Sequence, residues 1–328
     1  MENSKDKYVI VTGANGYLGY YVCKQLISEG YSVVGLTFKH FASRIIENER
    51  IRYFNFDLCK GLNQNPKLSA YLRDKRSIAV LNLAALLGSS DYDKNYVVNA
   101  KGVQHIMGLA KSIKVNRFVQ ISSVVVMKEI KGPYGVTKLK GQEFLTDSDF
   151  NFTVFIPAMI LGPEGLGLNR VLKNVFRLPV VVPIIGNGKQ TQHPIFVEDF
   201  AKYIVKCIED PKAFRKIYEI AGDTVIPFKD FIKLILKIKK RKKIFAPVPV
   251  FVANWLGIFF QKTQKVPLFT AEHVKGVLQD SRLNTIPLQE DLDFSPTPLE
   301  KAMEISLNKI GDNWDFYLQD RPEEIVKM

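Results

Sequence analysis

Residues 8–12 (YVIVT) form a short apolar run that predicts a strand, and the glycines behind it, Gly13, Gly16 and Gly19, are spaced G-x-x-G-x-x-G. Leu18, Val22 and Leu26 then recur at i, i+4, the stripe of a helix that can lie over a sheet. The alternation repeats down the chain. Residues 32–36 (SVVGL) predict a second strand, IRYFNF running into Asp57 and Leu58 a third, 79–85 (AVLNLAA) a fourth and 117–123 (RFVQISS) a fifth, with a helical segment over 99–111 between the last two. Strands and helices alternating at this spacing predict a doubly wound parallel sheet with right-handed crossovers.

The fold class is therefore α/β, of Rossmann type. Residues 1–150 are expected to hold the dinucleotide, and residues 151–328 to form a smaller, mainly substrate-binding α/β part with some return to the sheet. The glycine-spaced turn between strand and helix lets backbone N–H groups approach a pyrophosphate, which makes Gly13, Asn15, Gly16, Tyr17, Leu18 and Gly19 candidate cofactor contacts. After the second strand, Thr37 stands where an acid would bind a ribose hydroxyl, and Lys39, His40 and Arg44 follow. Cations there suit a 2′-phosphate, so NADP(H) is favoured over NAD(H). Asp57 and Leu58 would hold the adenine, and Ala84 and Ala85 are small enough for a cofactor to cross the end of the fourth strand.

Tyr134 and Lys138 form Y-x-x-x-K, with Pro133 at a helix entry, so both side chains share one helical face. A phenol is a poor base at neutral pH, and a neighbouring ammonium is expected to lower its pKa. Ser123, at a strand end eleven residues earlier, could hydrogen-bond the substrate oxygen that exchanges its proton with Tyr134, with Ser122 as the alternative.

Composition narrows the partners. The net charge of +13 includes six cations in one run, Lys237, Lys239, Lys240, Arg241, Lys242 and Lys243; the rest are scattered, and no nucleic-acid-binding motif accompanies them. Three cysteines, Cys23, Cys59 and Cys207, and four histidines fall in no ligand-spaced cluster, so no metal site is expected. The short polar start is not expected to act as a signal peptide, and a reducing cytoplasm is the simplest compartment to expect.

Taken together, TGANGYLG, Asp57-Leu58, NLAA, VVNAKG around Asn99, ISS and YGVTK resemble the extended or atypical short-chain dehydrogenases/reductases, the superfamily of nucleotide-sugar epimerases, dehydratases and reductases. Weaker matches in IPAMILGP, PIFVEDFA and FSPTPLEKAMEI extend the likeness over almost the whole chain. The resemblance implies Tyr134 as acid/base, Lys138 on the nicotinamide ribose, Ser123 orienting substrate, Asn99 supporting a proton-relay water, and Pro157 among the cofactor contacts. It raises a homodimer as well, since the family often pairs through a four-helix contact. Departures also inform. SSVVVM lacks the acidic pair that dehydratases carry, and Met159 and Gln192 replace the Asn and Arg with which nucleotide-sugar enzymes bind a diphosphate. The segment from LNRVLKNVF to KCIEDP is similar to the NAD(P)H-binding accessory subunit of respiratory complex I and its free-standing microbial relatives.

Asp199 is expected to cap a helix or support a loop, and His193 to be structural. Residues 244–261 hold no charge over eighteen positions, but Pro247 and Pro249 interrupt a span at its start. Residues 237–261 read either as a peripheral contact with anionic lipid through Trp255, Phe259 and Phe260, or as a helix covering the substrate pocket.

Overall fold

Unbroken apolar runs become strands buried on both faces, as parallel strands are. The computed structural model describes residues 7–38, 44–61, 64–87, 89–163, 165–263, 274, 278–293 and 295–311. In chain order the strands begin with β1 (Tyr8–Thr12), β2 (Ser32–Thr37), β3 (Ile51–Asn55), β4 (Ser77–Asn82), β5 (Arg117–Ile121) and β6 (Asn151–Pro157). Shorter ones follow: β7 (Ile160–Leu161), β8 (Val181–Ile185), β9 (Thr191–Gln192), β10 (Ile195–Phe196), β11 (Lys216–Ile220), β12 (Ile226–Pro227) and β13 (Ile244–Val248). Seven of them form one sheet in the order β11-β6-β5-β4-β1-β2-β3, and every pairing in it is parallel.

Helices cover both faces. They are α1 (Tyr17–Ser28), α2 (Pro66–Arg73), α3 (Tyr92–Tyr96), α4 (Gly102–Ser112), α5 (Gly132–Thr146) and α6 (Leu166–Phe176), then α7 (Val197–Lys206), α8 (Phe228–Ile238), α9 (Val250–Thr263), α10 (Ile286–Leu292) and α11 (Leu299–Ile310). Two apolar cores result. One joins α1, α6, α7, α8 and α11 to the sheet through residues such as Leu26, Phe200 and Phe231, and the other joins α2, α4 and α5 through Leu68, Ile106 and Leu145.

The strand order reverses between β1 and β4, which places the ligand crevice at their carboxyl ends. Two local expectations shift. The fourth strand stops at Asn82, because Leu83 and Ala84 turn their N–H groups onto Thr12 Oγ1 instead of continuing the ladder. The helix expected over 99–111 starts earlier, at α3, and passes through a π-turn (Val97–Lys101) against which α5 packs.

The division near residue 150 does not separate two bodies. β6 and β11 complete the sheet beyond it, and Arg117 locks this seam: its buried guanidinium donates to Asn151 O (2.6 Å), Thr153 Oγ1 (2.7 Å), Cys207 O (2.7 Å) and Ile208 O (3.0 Å). Outside the sheet, β8 and β13 form a parallel ribbon.

Candidate active site

The turn after β1 is built by close approach. Gly13 has φ +64, and a Cβ there would stand 3.1 Å from Ala84 Cα, so β4's exit and this turn share one floor. Gly16 donates its N–H to Gly13 O at 2.8 Å, and that same carbonyl occupies the place a Cβ on Gly19 would need, which lets α1 sit directly over the turn. Gly16 caps α1 without a side-chain hydrogen bond, and no acid lies in the first turn. The amide groups and positive end of α1 are thus available to an anion, and the cradle fits a dinucleotide pyrophosphate.

The other expected contacts divide. Asn15 is buried beside the turn, and Tyr17 points its hydroxyl at the turn around Gly162 and Gly165. Leu18 is spent on the core, leaving only its main chain for a ligand. Asp57 Oδ1 accepts from Cys59 N–H (2.9 Å) in a local turn, and Leu58 packs against Gly102. Ala84 and Ala85 are partly open behind β4, and Pro157 ends β6 in a buried position. Thr37 closes β2, its Oγ1 3.4 Å from Phe54 O. Lys39 and His40 lie outside the described residues.

Pro133 opens α5, and Tyr134 and Lys138 follow on one face of it. Tyr134 lies close enough to Ser123, just beyond β5, for that hydroxyl to favour its phenolate. Desolvation pushes the Tyr134 phenol up to about 12, against the influence of Ser123, which lowers it. The expected depression by Lys138 is therefore overturned: burial outweighs every stabilisation of phenolate, and Lys138 is not among the groups that act on Tyr134. Lys138 is itself buried, its pKa brought down to about 8 by desolvation, with Nζ donating to Ile121 O at 2.5 Å. Ser122 is no alternative to Ser123, because its hydroxyl donates to Gln142 Oε1 at 2.7 Å in the interior.

The Asn99 side chain holds a loop. Its Oδ1 accepts from Leu86 N–H (2.8 Å), and its Nδ2 donates to Leu86 O (3.1 Å) and Asn95 Oδ1 (3.2 Å). The side chain clasps the loop after β4 with both Nδ2 hydrogens spent.

A buried polar chain that sequence reasoning missed links the two halves of the site. Thr12 Oγ1 donates to Asn82 Oδ1 (2.6 Å), Asn82 Nδ2 donates to Gln120 Oε1 (2.8 Å), and Gln120 Nε2 donates to Ile121 O (3.1 Å), the oxygen that also receives Lys138. It crosses β1, β4 and β5, running from the glycine turn to the lysine. Its only sequence signal is a polar residue near the end of each otherwise apolar strand.

A family model described as NAD dependent epimerase/dehydratase matches residues 9–221. The chain belongs to this family. Among curated relatives it is 27% identical over 309 residues to NADH dehydrogenase (ubiquinone) 1 alpha subcomplex subunit 9, mitochondrial, of Mus musculus, covering 90% of this chain and 78% of that one. It is also 27% identical over 262 residues to the sterol-4-alpha-carboxylate 3-dehydrogenase, decarboxylating, of Homo sapiens, covering 72% and 68%. Among solved structures, an epimerase of Methanothermobacter thermautotrophicus superposes with a TM-score of 0.77 at 18% identity, covering 97% of this chain and 96% of that one. The NAD-binding Rossmann fold and the likeness to the complex I branch both stand on these matches.

Within the epimerase/dehydratase frame the second part supplies further side chains. Met159 lies over Gly167 at the start of α6, and Gln192 sits in β9 paired with β12. His193 is structural: Nδ1 accepts from Leu283 N–H (3.2 Å), which puts the proton on Nε2, donated to Gly222 O (3.1 Å). Asp199 supports a loop, both carboxylate oxygens receiving Thr297, at 2.7 Å from its N–H and 3.0 Å from its hydroxyl. Asn169 on α6 is wholly buried, and neither end of its amide meets a hydrogen-bond partner among the described residues. Among those residues no group of three His, Cys, Asp or Glu could hold a metal.

Proposed function

We propose that this family member is a nicotinamide-dependent oxidoreductase or epimerase acting at a carbinol or ketone carbon, with Tyr134 giving or taking the hydroxyl proton. The observation that carries the reading is the placement of Ser123 close to Tyr134, with Lys138 one helical turn further along α5. The cofactor held by the glycine turn would supply the site that accepts or returns hydride. Everything else falls to the chain. A phenol held near 12 stays protonated at neutral pH and is set to give its proton to an oxygen gaining negative charge, while Ser123 steadies that oxygen. Lys138 supplies a cation one turn away and would bind the nicotinamide ribose.

The finer reading follows the residues. Lys39, His40 and Arg44 behind Thr37 favour NADP(H) over NAD(H). A nucleotide sugar belongs to the substrate class read here, although Met159 and Gln192 make its diphosphate poorly served, and the apolar SSVVVM argues against dehydration. All three cysteines are free thiols, which suits a reducing cytoplasm, the compartment we assign.

A second reading is favoured by one observation, the match to a complex I subunit over 90% of the chain: a nucleotide-loaded structural or assembly subunit of a membrane complex. Purified protein separates the two. Under the first reading, nicotinamide changes redox state with a panel of sugar nucleotides, quinones and hydrophobic ketones, and Tyr134→Phe abolishes turnover while the cofactor stays bound. Turnover unaffected in Tyr134→Phe overturns the first reading; tight nucleotide retention without turnover on any of the panel supports the second.

A further inference from the structure

The charge of this protein is not spread over it. Residues 165–197 contain four Lys or Arg and no Asp or Glu, and residues 231–271 contain nine and none. These two segments alone account for the whole net charge of +13, so the remainder of the chain is neutral. The fold brings them together: β8 from the first and β13 from the second pair in parallel, and Ile244 N–H donates to Val180 O at 2.9 Å where the ribbon begins.

The basic run is only partly available. Lys237 pairs with Glu300 at 2.7 Å, Lys239 donates to Gly311 O, and Lys243 donates to Val175 O (2.8 Å) and Leu178 O (2.6 Å), closing the end of α6. Lys240, Arg241 and Lys242 are exposed, as is Arg177 beside them. Among these cations stand three exposed apolar side chains, Leu178, Val180 and Ile244. Uncharged β13 then leads, over about 17 Å, into α9.

Helix α9 is turned inside out. Ala253 and Gly257 face the protein, while Phe251 (75% exposed), Trp255 (70%), Ile258 and Phe259 face outward, with Trp255 and Phe259 stacked at 6.3 Å. An ordinary surface helix buries its large apolar residues; this one presents four of them. Its fourteen residues make about 21 Å of helix. No described helix is long and apolar enough to cross a membrane.

We propose that α9 and the β8–β13 ribbon form a docking face for an anionic phospholipid bilayer. Phe251, Trp255, Ile258 and Phe259 enter the headgroup and upper acyl region, and Arg177, Lys240, Arg241 and Lys242 meet lipid phosphates. Exposed aromatic side chains on α9 and exposed cations where the ribbon begins, in two segments without a carboxylate to repel the surface, match the chemistry of an interfacial anchor. This face is independent of the Tyr134 site and stands whichever reading of that site holds.

The test is co-sedimentation of the full chain with phosphatidylcholine vesicles, with and without phosphatidylserine, at low and high salt. Binding should require phosphatidylserine and weaken with salt. Replacing Lys240, Arg241 and Lys242 together by Gln should lower partitioning on the order of 100-fold. Trp255→Ser with Phe259→Ser should abolish it; these side chains are exposed, and an unchanged thermal midpoint verifies folding. In a Trp314→Phe background, Trp255 emission should shift to the blue on binding. No sedimentation with anionic vesicles at low salt overturns the proposal. So does binding that needs the cations but is untouched by the serine substitutions, which would mark a polyanion site, or self-association through α9 without vesicle binding.

Discussion

Lys138 gives its buried ammonium to the main-chain oxygen of Ile121 at 2.5 Å, and desolvation is what sets its pKa. The folded protein releases this proton near pH 8 and the unfolded chain near 10.5. Between those values the folded state binds fewer protons, so stability rises with pH across the window, and the cost of burying the cation, about 3 kcal/mol at 1.36 kcal/mol per unit, is fully present below pH 8. Lys138→Met should therefore stabilise the nucleotide-free protein by about 1 to 3 kcal/mol at pH 7 in urea titration, with the gain fading toward pH 10.5, while turnover is lost. A variant no more stable at pH 7 would refute the burial cost.

His193 should set an acid limit. Burial holds its pKa below the usual 6.5, so the unfolded chain binds more protons as pH falls through that region, and stability falls with it. Protonated Nδ1 would also face the Leu283 N–H it now accepts from. Urea midpoints measured from pH 7 to pH 5 should decline, and His193→Ala should flatten that decline at a cost of about 1 to 2 kcal/mol at pH 7. Parallel curves for the two proteins would assign the acid sensitivity elsewhere.

The chain from Thr12 to Ile121 should behave as a unit. Asn82→Leu takes the acceptor from the Thr12 hydroxyl proton and the donor from Gln120 Oε1 in the interior, and about 2 kcal/mol of stability should go with them. In a double-mutant cycle Thr12→Val and Asn82→Leu should show coupling beyond about 0.5 kcal/mol. Strict additivity would dissolve the unit.

Cofactor choice is checked by titration. The unmodified protein should bind NADPH more tightly than NADH, and Lys39→Ala should remove roughly 1 kcal/mol of that preference, the worth of one charge contact. Equal affinities in the unmodified protein would return the assignment to NAD(H).

Local features were readable in the sequence. The glycine turn and the Tyr134 and Lys138 face depend on residues a few positions apart, so spacing alone predicts them, and the parallel α/β order follows from repeated apolar runs. What escaped reading lies between distant positions. Asn99 finds a partner at Leu86, thirteen residues back, the polar chain needs three separate strands, and Lys237, Lys239 and Lys243 are consumed by Glu300, Gly311 and the end of α6. A run of cations in sequence is a patch only after such partners are subtracted. The tyrosine's raised pKa escaped for the same reason, since burial belongs to the assembled cleft and to no single motif.

The membership of β6 and β11 in the main sheet has a consequence for how the protein is made. A nascent chain that has emerged to residue 150 holds five of the seven strands, with β5 an apolar, unpaired edge and Arg117 lacking the carbonyls of Asn151, Cys207 and Ile208. That edge stays open to other strands until β6 arrives, and its far side stays open until β11, some sixty residues later. The interval between those two events, set by translation speed, is the time for which the β6 edge can pair with a strand of another chain.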